Sequence, residues 1–217
     1  MLYIVATPIG NLKDITLRAL EVLRSVDLIA CEDTRHTRIL LNAYDISTPT
    51  TSYFQHNKIT KARMLMDMLR DGKSVALVSD AGTPGILDPG YHLIQQALKQ
   101  DLPVTCIPGP CALIPALVLS GKPAHSFSFA GFLPPRSGAR QNRLKELLWR
   151  KETVVCYESC HRLLKTLADI ESVTGEKEVV VCRELTKKFE EVRRGRPAEL
   201  ITYFSAKKIR GEFVIVV

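Results

Sequence analysis

Three short apolar runs in the first half of the chain each end in a turn rich in glycine and proline, and this pairing constrains the fold more than any other feature. Residues 2–6 close on Thr7-Pro8-Ile9-Gly10-Asn11. Residues 74–78 (SVALV) close on SDAGTPG at 79–85, and residues 104–107 close on PGPCA at 108–112. A fourth run, 28–31, leads into CEDTRHT at 31–37. Helical spacing of apolar residues fills the intervals at 14–25, 61–70 and 91–100. Strands that read as unbroken apolar runs are covered on both faces, and their alternation with helices predicts an α/β fold with a parallel sheet.

Beyond Ala112 the pattern changes. A helix is expected at 111–119, strands at 126–129, 153–157, 179–182 and 213–217, and helices at 140–149 and 161–173. The segment 133–142 (LPPRSGARQN) is polar, basic and Pro/Gly-rich and is expected to be a mobile loop. A division near Gly121 follows, giving domains 1–120 and 121–217. Charge supports two roles. Residues 1–110 carry eleven Lys+Arg against eleven Asp+Glu, so the whole +7 of the 217-residue chain lies in the second half. A basic half suits a polyanion such as RNA, although a charge of this size also serves solubility. None of the six cysteines forms a CxxC pair, and no Cys/His cluster has metal spacing, so no metal is expected. Free cysteines beside apolar runs fit a cytoplasmic location. The N-terminus breaks at Pro8 and Gly10 before a signal-type apolar region can form, and no run is long enough to span a membrane.

Ligands of open α/β sheets bind outside the carboxyl ends of the strands, so three Gly/Pro turns there point to a small-molecule pocket. One such turn would be an ordinary connection. No turn carries a P-loop or GxGxxG pattern, which disfavours a nucleoside triphosphate or dinucleotide. Asp80 is the acid at the mouth of the 74–78 strand. It is expected to accept from a ligand amine or ribose, or else to cap its own turn.

The motifs SDAGTPGILDPGYHL, IPGPCALIPAL, CEDTRHT, GFLPP, YESCHRLL and RELTKKFEE together resemble the ribosomal-RNA branch of the tetrapyrrole (corrin/porphyrin) methylase superfamily, over essentially the whole chain. The resemblance implies a two-domain α/β fold with a parallel N-terminal sheet, a mixed C-terminal sheet and an intervening cleft. It also implies a homodimer and methyl transfer from S-adenosylmethionine to the ribose 2′-hydroxyl of a cytidine in the decoding region of small-subunit ribosomal RNA. It places the cofactor against Pro8, Asp80, Ala81, Gly82, Thr83, Pro84 and Ile86, and against Gly109, Pro110, Cys111 and Ala112. In the second half it adds Tyr157, Glu158, Leu185, Gly211 and Glu212. This sequence departs from the family in carrying Cys160 where proline is usual, and in ending at Val217, where relatives continue into a small extension.

A ribose hydroxyl is a weak nucleophile that gains from a base or from a cation beside the developing alkoxide. Glu32 or Asp33 is expected to take the proton and Arg35 to hold a flanking phosphate; the plain alternative is a helix cap with surface ion pairs. Lys187 is expected in the cleft, as a base with depressed pKa or as an alkoxide partner, or else on a solvated helix face. Arg136, Arg140 and Arg143, with Arg193 and Arg194, are candidate RNA contacts. Two rival functions remain at this level: a methylase acting on a tetrapyrrole, and a non-catalytic RNA-binding or assembly factor.

Overall fold

The computed structural model describes residues 1–56 and 58–217. It divides into two compact units, Met1–Cys111 and Ala112–Val217.

In the first unit, β1 (Leu2–Val5), β2 (Leu28–Cys31), β3 (Thr50–Ser52), β4 (Val75–Val78) and β5 (Val104–Ile107) form one sheet in the order β3-β2-β4-β1-β5. Every pairing is parallel. The crossovers are α1 (Leu17–Ser25), α2 (Thr34–Ala43), α3 (Lys58–Arg70) and α4 (Gly90–Leu98). Leu2, Ile4, Val75 and Leu77 face a core shared with Leu65, Met66, Leu93 and Ala97 of α3 and α4. Val5, Ile29, Cys31, Ala76 and Val78 face the opposite core, shared with Leu20 and Leu23 of α1 and Leu41 of α2. Burial on both faces is why these strands read as unbroken apolar runs. Thr16 starts α1 by accepting from the Ala19 N–H at 3.1 Å, and Asp33 does the same for α2 through the Arg35 N–H at 2.8 Å.

The second unit begins with α5 (Leu113–Ser120), closed by Gly121 at φ 72°. The sequence places the division near Gly121. The compact units part before α5 because that helix packs on the second sheet rather than the first. This sheet holds β6 (Phe127–Phe132), β7 (Thr153–Ser159), β8 (Val179–Arg183), β9 (Glu191–Gly195) and β10 (Glu212–Val216) in the order β6-β7-β10-β8-β9. It is mixed: β6 and β7 are parallel and the other pairs antiparallel. The helices α6 (Ser137–Trp149), α7 (Leu163–Thr174) and α8 (Pro197–Ser205) cover one face through Leu144, Leu147, Leu167, Ile170, Leu200 and Phe204.

One alternative falls away and one expectation changes. The solvated helix face offered as the alternative setting for Lys187 is absent, because RELTKKFEE runs from the end of β8 through a tight turn into edge strand β9, and α8 follows with Pro197 at its first position. The expected loop 133–142 is helical from Ser137, and its first residues are clamped. Arg162 donates to the Leu133 carbonyl at 2.6 Å, and Arg140 donates to the Pro134 and Pro135 carbonyls at 3.2 Å each. Its composition is that of a loop, but arginine side chains from the folded unit satisfy its backbone.

Candidate active site

Because every strand of the first sheet runs the same way, the turns after β1, β2, β4 and β5 emerge on one edge, and hydrogen bonds join them. Thr7 and Gly82 exchange backbone hydrogen bonds at 2.9 and 3.0 Å, tying the β1 turn to the β4 turn. The Thr7 hydroxyl donates to the Ser79 carbonyl at 3.0 Å. The Thr83 hydroxyl donates to the Pro110 carbonyl at 3.3 Å, adding the β5 turn. The Asp33 N–H donates to Asp80 Oδ1 at 3.0 Å, adding the β2 turn. Asp80 therefore links two turns through one carboxylate oxygen and leaves the other for a further partner.

Glycine is required at this edge. Gly82 sits at φ +82°, in the left-handed region, with Ile9 and the Pro110 carbonyl close by. A Cβ on Gly109 would lie 3.0 Å from the Cβ of Ala6, so glycine lets the β5 exit close on the β1 exit. Pro8, Gly82 and Pro84 are buried, whereas Ala81, Ile86 and Gly109 are exposed; Thr83, Pro110, Cys111 and Ala112 are half-buried. Asp88, which is not among the residues expected from the sequence, staples the loop: its carboxylate accepts from Gly85 N–H at 2.8 Å and from Gly90 N–H at 2.7 Å. The signal was an Asp-Pro-Gly turn, in which an aspartate collects backbone donors two residues on.

The two acids of CEDTRHT have different environments. Asp33 caps α2 and holds Arg35 bidentately, at 3.2 and 2.8 Å. The Arg35 hydrogen bonds hold its carboxyl down at about 2. Glu32 is half-buried, and burial, then the charges of Asp80 and Asp88, raise its pKa. A general base works best when its pKa approaches the operating pH, so Glu32 fits that role and Asp33 does not. The Arg35 side chain is 90% exposed.

In the second unit, Tyr157 and Glu158 on β7, the turn after β8 and the start of β10 share one edge. Glu158 pairs with Phe213, and Arg183 pairs with the same residue from the other side. The structure thus brings Tyr157, Glu158, Leu185, Gly211 and Glu212 to one place. Glu158 is committed internally: its buried carboxylate accepts from Thr166 at 2.5 Å and from the Ser159 N–H at 2.8 Å, and pairs with Arg162 at 3.3 Å. The turn after β8 is strained, with Glu184 at φ 50° and Thr186 at φ 66°. A Cβ on Gly211 would come within 2.6 Å of the Glu184 carboxylate carbon. Leu185 is buried between these two strained residues.

Lys187 lies between Glu184 at 3.0 Å and Glu212 at 2.8 Å. Burial pulls its pKa down, but hydrogen bonds to Glu212 and Glu184 outweigh burial and leave it raised. Of the two roles expected for Lys187, the base with depressed pKa is not supported, because both neighbouring carboxylates favour the protonated amine.

The candidate RNA arginines separate by burial. Arg140 is 3% exposed and bound to Asp169 through Nε at 2.6 Å and Nη2 at 2.5 Å. It is an internal clamp rather than a surface cation. Arg136 and Arg143 are exposed, Arg143 pairing with Glu146 at 3.0 Å. Arg193 pairs with Glu191 at 2.9 Å and lies 4.2 Å from the centre of the Tyr203 ring, while Arg194 donates to the Leu119 carbonyl. Among the described residues no cluster suits a metal ion, and no helix is long and apolar enough to cross a membrane.

Comparison with known proteins agrees with this architecture. The family described as Tetrapyrrole (Corrin/Porphyrin) Methylases matches residues 1–201. A Vibrio cholerae protein named ribosomal RNA small subunit methyltransferase I is 53% identical over 220 residues, covering 100% of this chain and 76% of that protein. Proteins of the same name from Escherichia coli O157:H7 and Thermotoga maritima are 48% and 46% identical, covering 100% and 99% of this chain and 77% and 96% of their own lengths. Among solved structures, cobalt precorrin-4 methyltransferase superposes with a TM-score of 0.76 at 18% identity, covering 99% of this chain and 93% of that one. Diphthine synthase superposes at 0.79 and 16% identity, covering 100% and 88%. At these identities the structural likeness concerns the fold alone.

Proposed function

The chain belongs to the tetrapyrrole (corrin/porphyrin) methylase family, and from that premise we propose that it is an S-adenosylmethionine-dependent methyltransferase of small-subunit (16S) ribosomal RNA, acting on the 2′-hydroxyl of a cytidine ribose at the decoding region. The observation that carries the substrate is the likeness, over 99–100% of this chain at 46–53% identity, to proteins named ribosomal RNA small subunit methyltransferase I. A Thermus thermophilus uroporphyrin-III C-methyltransferase of the same fold is described in complex with S-adenosyl homocysteine.

The carboxyl edge of the first sheet fits the methyl donor. Glu32, Asp80 and Asp88 give it negative charge, and each of the latter two raises the pKa of Glu32, which places all three within electrostatic reach. A donor bearing an ammonium and a sulfonium suits such an edge. The glycine turns allow close backbone approach, with Pro8, the loop from Asp80 to Ile86, and Gly109 and Pro110 as the contacts. When bound, the donor supplies an electrophilic methyl group for in-line displacement.

The protein's own work is to hold the ribose in line and remove its proton. Glu32 accepts that proton; its raised pKa makes it a stronger base than an exposed glutamate. Asp33 fixes the start of α2 and the orientation of Arg35. Arg35 offers its outward N–H groups to a phosphate beside the target ribose. The same reading carries a cytoplasmic homodimer, which sedimentation would check.

The test uses methyl-labelled S-adenosylmethionine and small ribosomal subunits from cells lacking the endogenous activity. Label mapped to a ribose 2′-oxygen is the expected result. Label on a tetrapyrrole but none on rRNA would replace this reading with tetrapyrrole methylation. Absence of any donor binding in a thermal-shift assay would point to a non-catalytic RNA-binding protein.

A further inference from the structure

The first unit is electrically balanced, with eleven Lys+Arg and eleven Asp+Glu, yet one face of it is not. Helix α2 reads TRHTRILLNA and contains no acid. Its Thr34, Arg35, Arg38, Ile39 and Asn42 line an open hollow of about 390 Å³. Those positions repeat at helical spacing, so they lie on one stripe. Thr37, Leu40 and Leu41 on the opposite side are buried in the unit. Ile39 is 61% exposed in the middle of the stripe. The side chain of Arg38 is exposed and, among the described residues, has neither hydrogen bond nor ion pair. Arg35 is tethered by Asp33 on one side only and keeps outward donors.

We propose that this stripe is the docking strip for single-stranded RNA flanking the target ribose. The backbone phosphates lie on Arg35 and Arg38, Thr34 and Asn42 hydrogen-bond to phosphate or ribose oxygens, and Ile39 packs on a sugar or base face. Charge complementarity selects the occupant. Arg38, which has no acid beside it, and the outward N–H groups of Arg35, which Asp33 leaves free, match a polyanion and disfavour a cationic partner. Position supports it. Only Asp33 separates α2 from Glu32, so a strand held on the stripe enters beside the candidate base. From Thr34 to Asn42 the helix rises about 12 Å, room for more than one phosphate. Hydroxyl, amide and guanidinium groups are also the usual donors to RNA backbone oxygens. The inference rests on the RNA methyltransferase reading and adds Arg38, Ile39 and Asn42 to it.

The experiment compares wild type, Arg38→Gln, Arg38→Lys and the Arg38→Gln/Asn42→Ala double variant. All of these changes are at exposed helix positions, so folding is preserved. Three quantities are read: the salt dependence of binding to a single-stranded RNA oligonucleotide, the KM for small subunits, and the thermal shift with S-adenosylmethionine. In Arg38→Gln the salt slope is expected to fall by roughly 0.7, with KM raised several-fold and the cofactor shift unchanged. Arg38→Lys should recover the slope, because it keeps the charge. A double variant with wild-type slope and KM overturns the inference while leaving the methyltransferase reading intact. So does an unchanged slope with an altered sedimentation mass, which would make the stripe a contact between copies of the chain. A wild-type protein that neither labels rRNA nor binds RNA in a salt-dependent way overturns both.

Discussion

Neighbouring acids of the same motif titrate in opposite directions because their surroundings differ. Glu32 is half-buried with two other carboxylates nearby, so its proton is held more tightly than usual. Activity should therefore fall as pH drops through a pKa above the ordinary glutamate value, because the base must be ionised to accept the ribose proton. Glu32→Gln is expected to lower kcat by about 10²–10⁴-fold; a kcat near wild type would remove Glu32 as the base. For Asp33 the sign runs the other way. Its pKa is depressed from 3.8 to about 2, first by the Arg35 hydrogen bonds. Its contribution to stability is complete above pH 3.8 and is lost as pH falls towards about 2. Asp33→Asn should flatten the acid melting curve across that window, as read by circular dichroism. Lys187 shows why residue type alone misleads: a lysine in a site is a base only where nothing holds its proton, and here two glutamates do.

Elements are held in place by a few buried polar contacts. Arg140 on α6 and Asp169 on α7 make a nearly fully buried pair, and Asp169 also accepts from Ser137 at 2.6 Å and Gln141 at 2.8 Å. Removing one partner strands a buried charge. Arg140→Met is expected to cost about 3–5 kcal/mol in urea denaturation, and pairing it with Asp169→Leu should restore part of that stability. The entry to β10 depends on backbone shape instead. Gly211 is at φ +95° with the Glu184 carboxylate against it. Gly211→Ala should destabilise by about 1–3 kcal/mol and displace Glu184, one of the two acids that hold Lys187.

At the scale of the whole molecule, charge and fold are partitioned differently. The first unit carries the glycine- and proline-rich turns and no net charge, while the second carries the +7. Binding to RNA should weaken steeply with salt, because each neutralised phosphate releases counterions. Replacing both Arg136 and Arg143 with glutamine is expected to lower the single-strand salt slope by roughly 0.7 for each phosphate that is no longer neutralised, in a binding assay run at several salt concentrations. An equal slope would leave those two arginines as solvated surface. Arg140 has no place in that experiment, since its guanidinium faces Asp169 and the loop carbonyls.

The sequence by itself determined the parallel first sheet, because strands buried on both faces leave an unbroken apolar signature, and helices between them set the crossover. It also located the turns, because glycine and proline act on the backbone locally. The family was legible for a related reason: its motifs are contiguous. The tertiary structure alone decided which arginines face solvent, since Arg140 meets an acid 29 positions away. It alone separated Glu32 from Asp33, and it made Lys187 a fixed cation. It also moved α5 into the second unit and turned 191–195 into an edge strand. Burial, charge pairing and strand partnership depend on what the folded chain brings from a distance, and no local pattern encodes that.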